Sequence, residues 1–200
     1  MKGGRLFGTD GVRGMANKDL TPELAFGLGR AGAAAIAERS AIEVPIVVGR
    51  DTRVSGTMLE SAIVAGITST GRNVMTVGIV PTPGVARIVT AIGAAMGVMI
   101  SASHNPIEDN GIKFFGPDGF KLSDEDEDGI EALLDDPAAT PSLRPTGLDV
   151  GMSQAMHGLV DRYFVALIED GARLGGMTVV VNCAYGAAYE IAPHVFRRLG

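Results

Sequence analysis

The chain has 200 residues, enough for one large domain or for one domain and part of a second. Apolar residues make up 46% and charged residues 20%, an ordinary globular composition that excludes a disordered chain. A formal net charge of −6 excludes a general attraction for nucleic acid or an anionic membrane, so a bound anion needs a local cluster of Arg and Lys.

Cys183 is the single cysteine, which leaves no intrachain disulfide. The opening MKGGRLFGTDG has no apolar signal core, and the apolar runs are far too short to span a bilayer. A reducing, cytoplasmic setting is expected. Glycine is frequent, 28 of 200, in short separate clusters that predict tight loops.

Strand and helix patterns alternate along the chain. VPIVVGR (44–50) reads as a strand ending in a glycine-containing loop. GTMLESAIVAGITST (56–70) has Met58, Ala62, Ile63, Ala65 and Ile67 at helical spacing. NVMTVGIV (73–80) is strand-like and stops at Pro81 and Pro83. TPGVARIVTAIG (82–93) reads as a helix with Thr82 as cap and Pro83 at its first position, and AAMGVMIS (94–101) as the next strand. This alternation predicts an α/β fold with a mixed, mostly parallel sheet sandwiched by helices. Ligands of such sheets bind beyond the carboxyl ends of the strands, where GRDTRVSG and SASHNP fall.

The proline-rich stretch 134–151 is the expected boundary, dividing a first domain (1–150) from residues 151–200. In the second part 153–170 reads as a helix, MTVVVN (177–182) as a strand, and 188–200 as a helix broken or opened near Pro193. One strand and one helix cannot build a core of their own. The second part is therefore expected to be the truncated start of a second, similar α/β domain.

Several stretches carry chemistry-bearing residues. GTDGVRG (8–14) lets a backbone approach a ligand and presents the Arg13 fork, or is simply a tight turn with a surface arginine. GRDTRVSG (49–56) places Arg50 and Arg53 at a strand end before a helix, where an anion is favoured. The competing reading has Ser55 as a cap and Asp51 paired to an arginine. SASHNP (101–106) offers Ser103 as a nucleophile or as a turn residue. The G-x-S-x-G elbow of serine hydrolases is absent. His104, its chain neighbour, is expected to point away. Lys113 is the better base if a DNG turn at 109–111 folds the segment back. SDEDEDG (123–129) imitates a calcium loop that Asp135 would close, but Glu131 stands where an apolar residue is usual and the closing acid is Asp, not Glu, and Ser123 is expected to cap an acidic helix start. His157 and His194 are expected to pack or face solvent, Cys183 to be a buried inert thiol, and the nine methionines to fill the core.

Taken in order, FGTDGVRG, VGRDTRVSG, PTPGVA and GVMISASHNPIEDNGIKFFGPDGFKLS resemble the α-D-phosphohexomutase superfamily, most closely its bacterial phosphoglucosamine mutases. The resemblance covers nearly the whole chain. It implies that Ser103 is phosphorylated and exchanges its phosphoryl group with a sugar phosphate through a sugar 1,6-bisphosphate. It further implies interconversion of glucosamine 6-phosphate and glucosamine 1-phosphate, feeding UDP-N-acetylglucosamine and cell-wall synthesis. Arg13 and Lys113 match positions beside the phosphoserine, with Lys113 as acid/base, and His104 and Asn105 match the active loop. Arg53 is a candidate phosphate ligand. Mg²⁺ is the implied cofactor, bound to a phosphate oxygen on Ser103.

The family's D-G-D-x-D-R metal loop has no counterpart here, nor have its sugar-recognition and phosphate-binding later domains. NCAYG (182–186) departs from the usual Asp-Cys-Ala-Asn-Gly at Asn182 and Tyr185. The expected partner is a phosphosugar, with no nucleic acid and no membrane, and a homodimer stays open. Two alternatives stay open as well: a phosphomannomutase/phosphoglucomutase, or a non-catalytic phosphosugar-binding fragment.

Overall fold

The computed structural model describes residues 5–36, 39–136 and 144–200. Six strands form one mixed sheet: β1 (Val12–Met15), β2 (Ile46–Arg50), β3 (Val74–Ile79), β4 (Met96–Ile100), β5 (Asp109–Phe115) and β6 (Ser153–Ala155). Their order is β1-β5-β4-β2-β3-β6. β4, β2, β3 and β6 run parallel, while β5 is antiparallel to both β4 and β1. The expected α/β class, with a mostly parallel sheet between helices, is the fold observed.

Among the described residues six α-helices accompany the sheet: α1 (Pro22–Ala35), α2 (Gly56–Thr68), α3 (Thr82–Ile92), α4 (Asp124–Asp135), α5 (Val160–Glu169) and α6 (Ile191–Leu199). α1, α2 and α4 cover one face, over Val48, Met96, Val98, Ile112 and Phe114. α3 and α5 cover the other, over Val47, Val77, Met99 and Phe115. The central strands are therefore apolar on both faces, and every residue of β4 is buried.

Local chemistry explains the helix starts. Thr21 accepts the Leu24 N–H and Pro22 opens α1, a helix beyond those that the apolar spacing predicts. α3 begins at Thr82, with Pro81 in the cap position and Pro83 already inside, one residue off the expected register. Ser123 caps α4 as expected, accepting the Asp126 N–H at 3.2 Å. The acids behind it belong to ion pairs: Asp124 and Asp128 with Arg5, Asp126 with Arg39, and Glu127 with Arg5 and Lys121.

α2 presents Leu59, Ile63, Gly66 and Ile67 to the core, whereas Ala65, expected on that stripe, is exposed. Gly66 permits the close packing of α1 on α2, because a Cβ there would meet the Phe26 carbonyl oxygen and lie 2.9 Å from the Arg30 nitrogen.

The part after residue 150 departs from expectation. The helix expected over 153–170 begins only at Val160, and Ser153–Ala155 instead pair in parallel with Val74–Thr76 of β3, so the sheet continues past residue 150. Residues 177–182 form no strand: Val180 is 92% exposed, and no described strand lies alongside to satisfy the backbone groups. α6 starts at Ile191 with Pro193 in its first turn, where the missing N–H costs nothing. The centre of the expected boundary stretch, 137–143, lies outside the described residues. None of the described helices is long and apolar enough to cross a membrane.

Candidate functional site

β4 ends at Ile100, and the chain reverses through residues 101–108 into β5. The reversal lies in this loop and not at 109–111, which already pair with β1 as strand. Because β5 returns beside β4, Lys113 sits opposite Met99, and Arg13 of β1 sits opposite Gly111. Side chains two apart on a strand share a face, so Arg13 and Lys113 project on the same side of the sheet. Gly11 makes room for the lysine: at φ +80°, a Cβ there would lie 2.8 Å from the Lys113 Cγ.

Asp10, Arg13, Thr82, Met99, Ser101, Ser103, His104 and Lys113 together line a cavity of about 330 Å³ beyond the strand ends. Of the six expected site residues, Ser103, His104, Arg13 and Lys113 are thus brought to one opening. A larger cavity of about 750 Å³ lies between β3, α5 and α6 and shares no residue with it. Its wall includes Arg50, which is already held by Glu60 at 3.1 Å. The smaller cavity is the candidate site because it lies beyond the strand ends and joins the exposed Ser103 hydroxyl to Arg13 and Lys113.

Ser103 is exposed and adopts φ 56°, the left-handed region. Its N–H donates to Ser101 Oγ at 3.0 Å, and Ser101 Oγ donates to Asp51 Oδ2 at 2.7 Å. This conformation turns the Ser103 Oγ toward its neighbour, 3.3 Å from His104 Nδ1. The expectation that adjacent side chains point apart therefore fails at this pair, because it presumes ordinary extended or helical backbone.

Asp10 is the charge hub, and the sequence reading missed it. Lys113 Nζ lies 2.7 Å from its Oδ1, and Arg13 Nη2 lies 3.4 Å from its Oδ2. The hydrogen bond from Lys113, with the nearby charges of Lys113 and Arg13, holds the Asp10 carboxyl below the usual carboxylate range. An acid beside a glycine-rich turn gave no signal of its partners, since Lys113 lies 103 residues away. Thr82 was likewise legible only as a helix cap.

Asn105 is occupied at both ends: Oδ1 accepts from Arg13 at 3.2 Å, and Nδ2 donates to Asp109 at 3.0 Å. It orients Arg13, whose buried Nε has no hydrogen-bond partner.

Arg53 does not face the cavity. Its side chain is 6% exposed and all five guanidinium N–H groups are taken. Nε donates to Asp51 at 3.1 Å, Nη1 to the carbonyls of Pro106 and Asp109, and Nη2 to those of Ser103 and Asn105. The candidate phosphate ligand Arg53 thus has every guanidinium donor engaged within the protein in this structure. Asp51 does pair with an arginine, as the alternative reading had it. Ser55 occupies the N-cap position of α2, but its side chain makes no cap hydrogen bond, and its Oγ instead accepts from Asn110 Nδ2 at 2.9 Å. Holding a non-glycine residue left-handed costs about 1–2 kcal/mol. One hydrogen bond to a charged group is worth about 1.5–3 kcal/mol, so the bonds that converge on this loop can hold Ser103 in place.

Of the remaining singletons, His157 and His194 line the larger cavity. His157 lies against the backbone of Gly78, and His194 meets Phe164 edge-on at 6.5 Å. Cys183 is half-buried, not fully buried, with its thiol 3.6 Å from the Ala188 carbonyl. Met96 and Met99 are core residues, whereas Met152 and Met177 are largely exposed.

The implied Mg²⁺ finds no ligand set here. Among the described residues no three His, Cys, Asp or Glu side chains converge. The one carboxylate on the cavity wall, Asp10, is shared between two cations. What the cavity suits is an anion held against an exposed hydroxyl.

The sequence matches the family described as phosphoglucomutase/phosphomannomutase, alpha/beta/alpha domain I, over residues 4–140, and the chain belongs to that family. It is 55% identical to a phosphoglucosamine mutase of Syntrophomonas wolfei, over 98% of this chain and 44% of that protein. It is 54% identical to a phosphoglucosamine mutase of Symbiobacterium thermophilum, with the same shares covered. The fold matches the crystal structure of a phosphoglucomutase/phosphomannomutase family protein from Burkholderia thailandensis with a TM-score of 0.83 at 25% identity, covering 98% of this chain and 42% of that one. The chain thus spans less than half the length of these relatives.

Proposed function

We propose that this chain carries the phosphoserine site of a phosphosugar mutase, with Ser103 as the phosphoryl carrier. The supporting observation is the placement of an exposed, left-handed Ser103 at a cavity walled by Arg13, His104 and Lys113. In the forward half-reaction a sugar hydroxyl oxygen attacks the phosphorus on Ser103. The new P–O bond forms as the P–Oγ bond breaks, the sugar hydroxyl passes its proton to solvent water, and the Lys113 ammonium donates a proton to the leaving Oγ. In the return half-reaction Ser103 Oγ attacks the other phosphate of the sugar bisphosphate. Lys113, now neutral, takes the serine proton, and the departing sugar oxygen takes one from solvent water. Arg13 contributes positive charge to the equatorial oxygens throughout.

The relatives' name, phosphoglucosamine mutase, favours a phosphoglucosamine as substrate, and we propose glucosamine 6-phosphate and glucosamine 1-phosphate as the pair interconverted. Without the D-G-D-x-D-R loop we expect this chain alone to turn over little substrate. The test is peptide mass spectrometry before and after incubation with glucosamine 1,6-bisphosphate and Mg²⁺, with Ser103→Ala as control. Phosphate confined to Ser103 supports the reading. Phosphate elsewhere on the loop, or an unmodified Ser103 in both this chain and a version extended to the length of its relatives, overturns it.

A further inference from the structure

We propose that Arg53 is a positioning residue for Ser103: it acts through the backbone of residues 103–109 and, with Asp51 and Ser101, fixes the conformation that presents the serine hydroxyl. This rests on the reading of Ser103 as phosphoryl carrier.

The chain of contacts starts at the sheet. The Asp51 N–H donates to the Ile100 carbonyl at 3.0 Å, which joins the end of β2 to the end of β4. Asp51, Arg53 and Ser101 are each less than 10% exposed. Asp51 accepts the Arg53 N–H through Oδ1, and both the Arg53 Nε–H and the Ser101 hydroxyl through Oδ2. Because the Ser101 proton is committed to Asp51, its oxygen lone pair is free to accept the Ser103 N–H. On the other side, Arg53 Nη2 donates to the Ser103 carbonyl at 3.0 Å. Both backbone groups of the left-handed residue are thus pinned, and both pins lead back to one buried Asp51–Arg53 pair.

The guanidinium suits this task. Its planar fork meets the carbonyls of Ser103, Asn105, Pro106 and Asp109, which lie at the start, middle and end of the loop. A lysine has three donors on a single nitrogen and cannot reach four carbonyls and a carboxylate at once. Arg53 therefore sets the geometry of the serine without touching the group transferred.

The test compares wild type, Arg53→Lys, Arg53→Met and the small change Ser101→Ala, which removes the acceptor for the Ser103 N–H together with the hydroxyl donor to Asp51. Hydrogen exchange is read for a peptide covering 101–108 and for peptides of β2 and α1, together with the rate and concentration dependence of Ser103 phosphorylation by glucosamine 1,6-bisphosphate. Exchange in 101–108 should accelerate roughly tenfold or more, as expected for a lost charge-assisted hydrogen bond, while β2 and α1 stay protected. The maximal phosphorylation rate should fall by about 100-fold, the scale of a small misplacement, with half-saturation little changed. Raised half-saturation with unaltered loop exchange would mean that Arg53 binds phosphate, and the proposal would be overturned. So would unaltered exchange and rate in Ser101→Ala, a variant small enough to keep its fold if Arg53→Met loses it. If wild type takes up no phosphate even when extended to the length of its relatives, the carrier reading fails, while the exchange data still decide whether Arg53 holds the loop.

Discussion

The Lys113 ammonium stands 2.7 Å from the Asp10 carboxylate, joining the first glycine-rich turn to a strand 103 residues later. Neither residue is buried, so the pair serves the site more than the fold. It keeps a cation at the cavity wall, with Arg13 and His104 alongside.

The pair has a pH signature. Lys113, through its hydrogen bond and charge, holds the folded Asp10 below the ordinary carboxylate value. A carboxylate with a depressed folded pKa contributes stability above its unfolded pKa, about 4, and loses that contribution as pH falls through the lower folded value. The acid limb of melting temperature against pH should accordingly be flatter in Asp10→Asn than in wild type. Identical limbs would show that Lys113 does not hold Asp10 in solution.

Lys113 itself separates chemistry from binding. If it moves the proton at Ser103 Oγ, Lys113→Met should lower the maximal rate of Ser103 phosphorylation by about 10²- to 10⁴-fold. The melting temperature should barely change, because the salt bridge it loses is exposed. A rate within threefold of wild type would remove Lys113 from the acid/base role.

The backbone of Ser103 makes a separate prediction. At φ 56°, Ser103→Gly should relieve about 1–2 kcal/mol of strain, and Ser103→Val should add to it, since a β-branched residue tolerates this region poorly. Chemical denaturation should therefore rank glycine above serine above valine. The reverse order would mean that the loop is not left-handed there in solution.

Away from the site, Ser123→Ala should cost about 1 kcal/mol by removing the α4 cap. The hydroxyl satisfies the Asp126 N–H and also bonds the Asp126 carboxylate. For a domain of this size that corresponds to a melting-temperature drop of about 2–4 °C, measurable by calorimetry. No change would mean that water replaces the cap at no cost.

Much of this protein is written locally. The alternation of β-branched runs with helical spacing determined the α/β sheet, because burial on both faces leaves β2 and β4 almost wholly apolar. Ser123 and the acids behind it determined a helix start, since a cap needs only residues three apart. SASHNP, which follows a predicted strand, determined an exposed serine beyond the strand end. Three-dimensional packing decided the rest. Nothing near Asp10 in the chain names Lys113 as its partner, and nothing near Arg53 names the four carbonyls that consume its donors. The arginine looked free for phosphate because guanidinium chemistry fits either use, and only the fold of 101–109 around it chooses between them. Residues 177–182 have the composition of a strand, yet a strand exists only where another chain segment satisfies its backbone, and among the described residues none does. Propensity and capping act within a few residues and can be read directly. Pairing, burial and charge partnership depend on segments far apart in the chain, and only the folded structure brings those together.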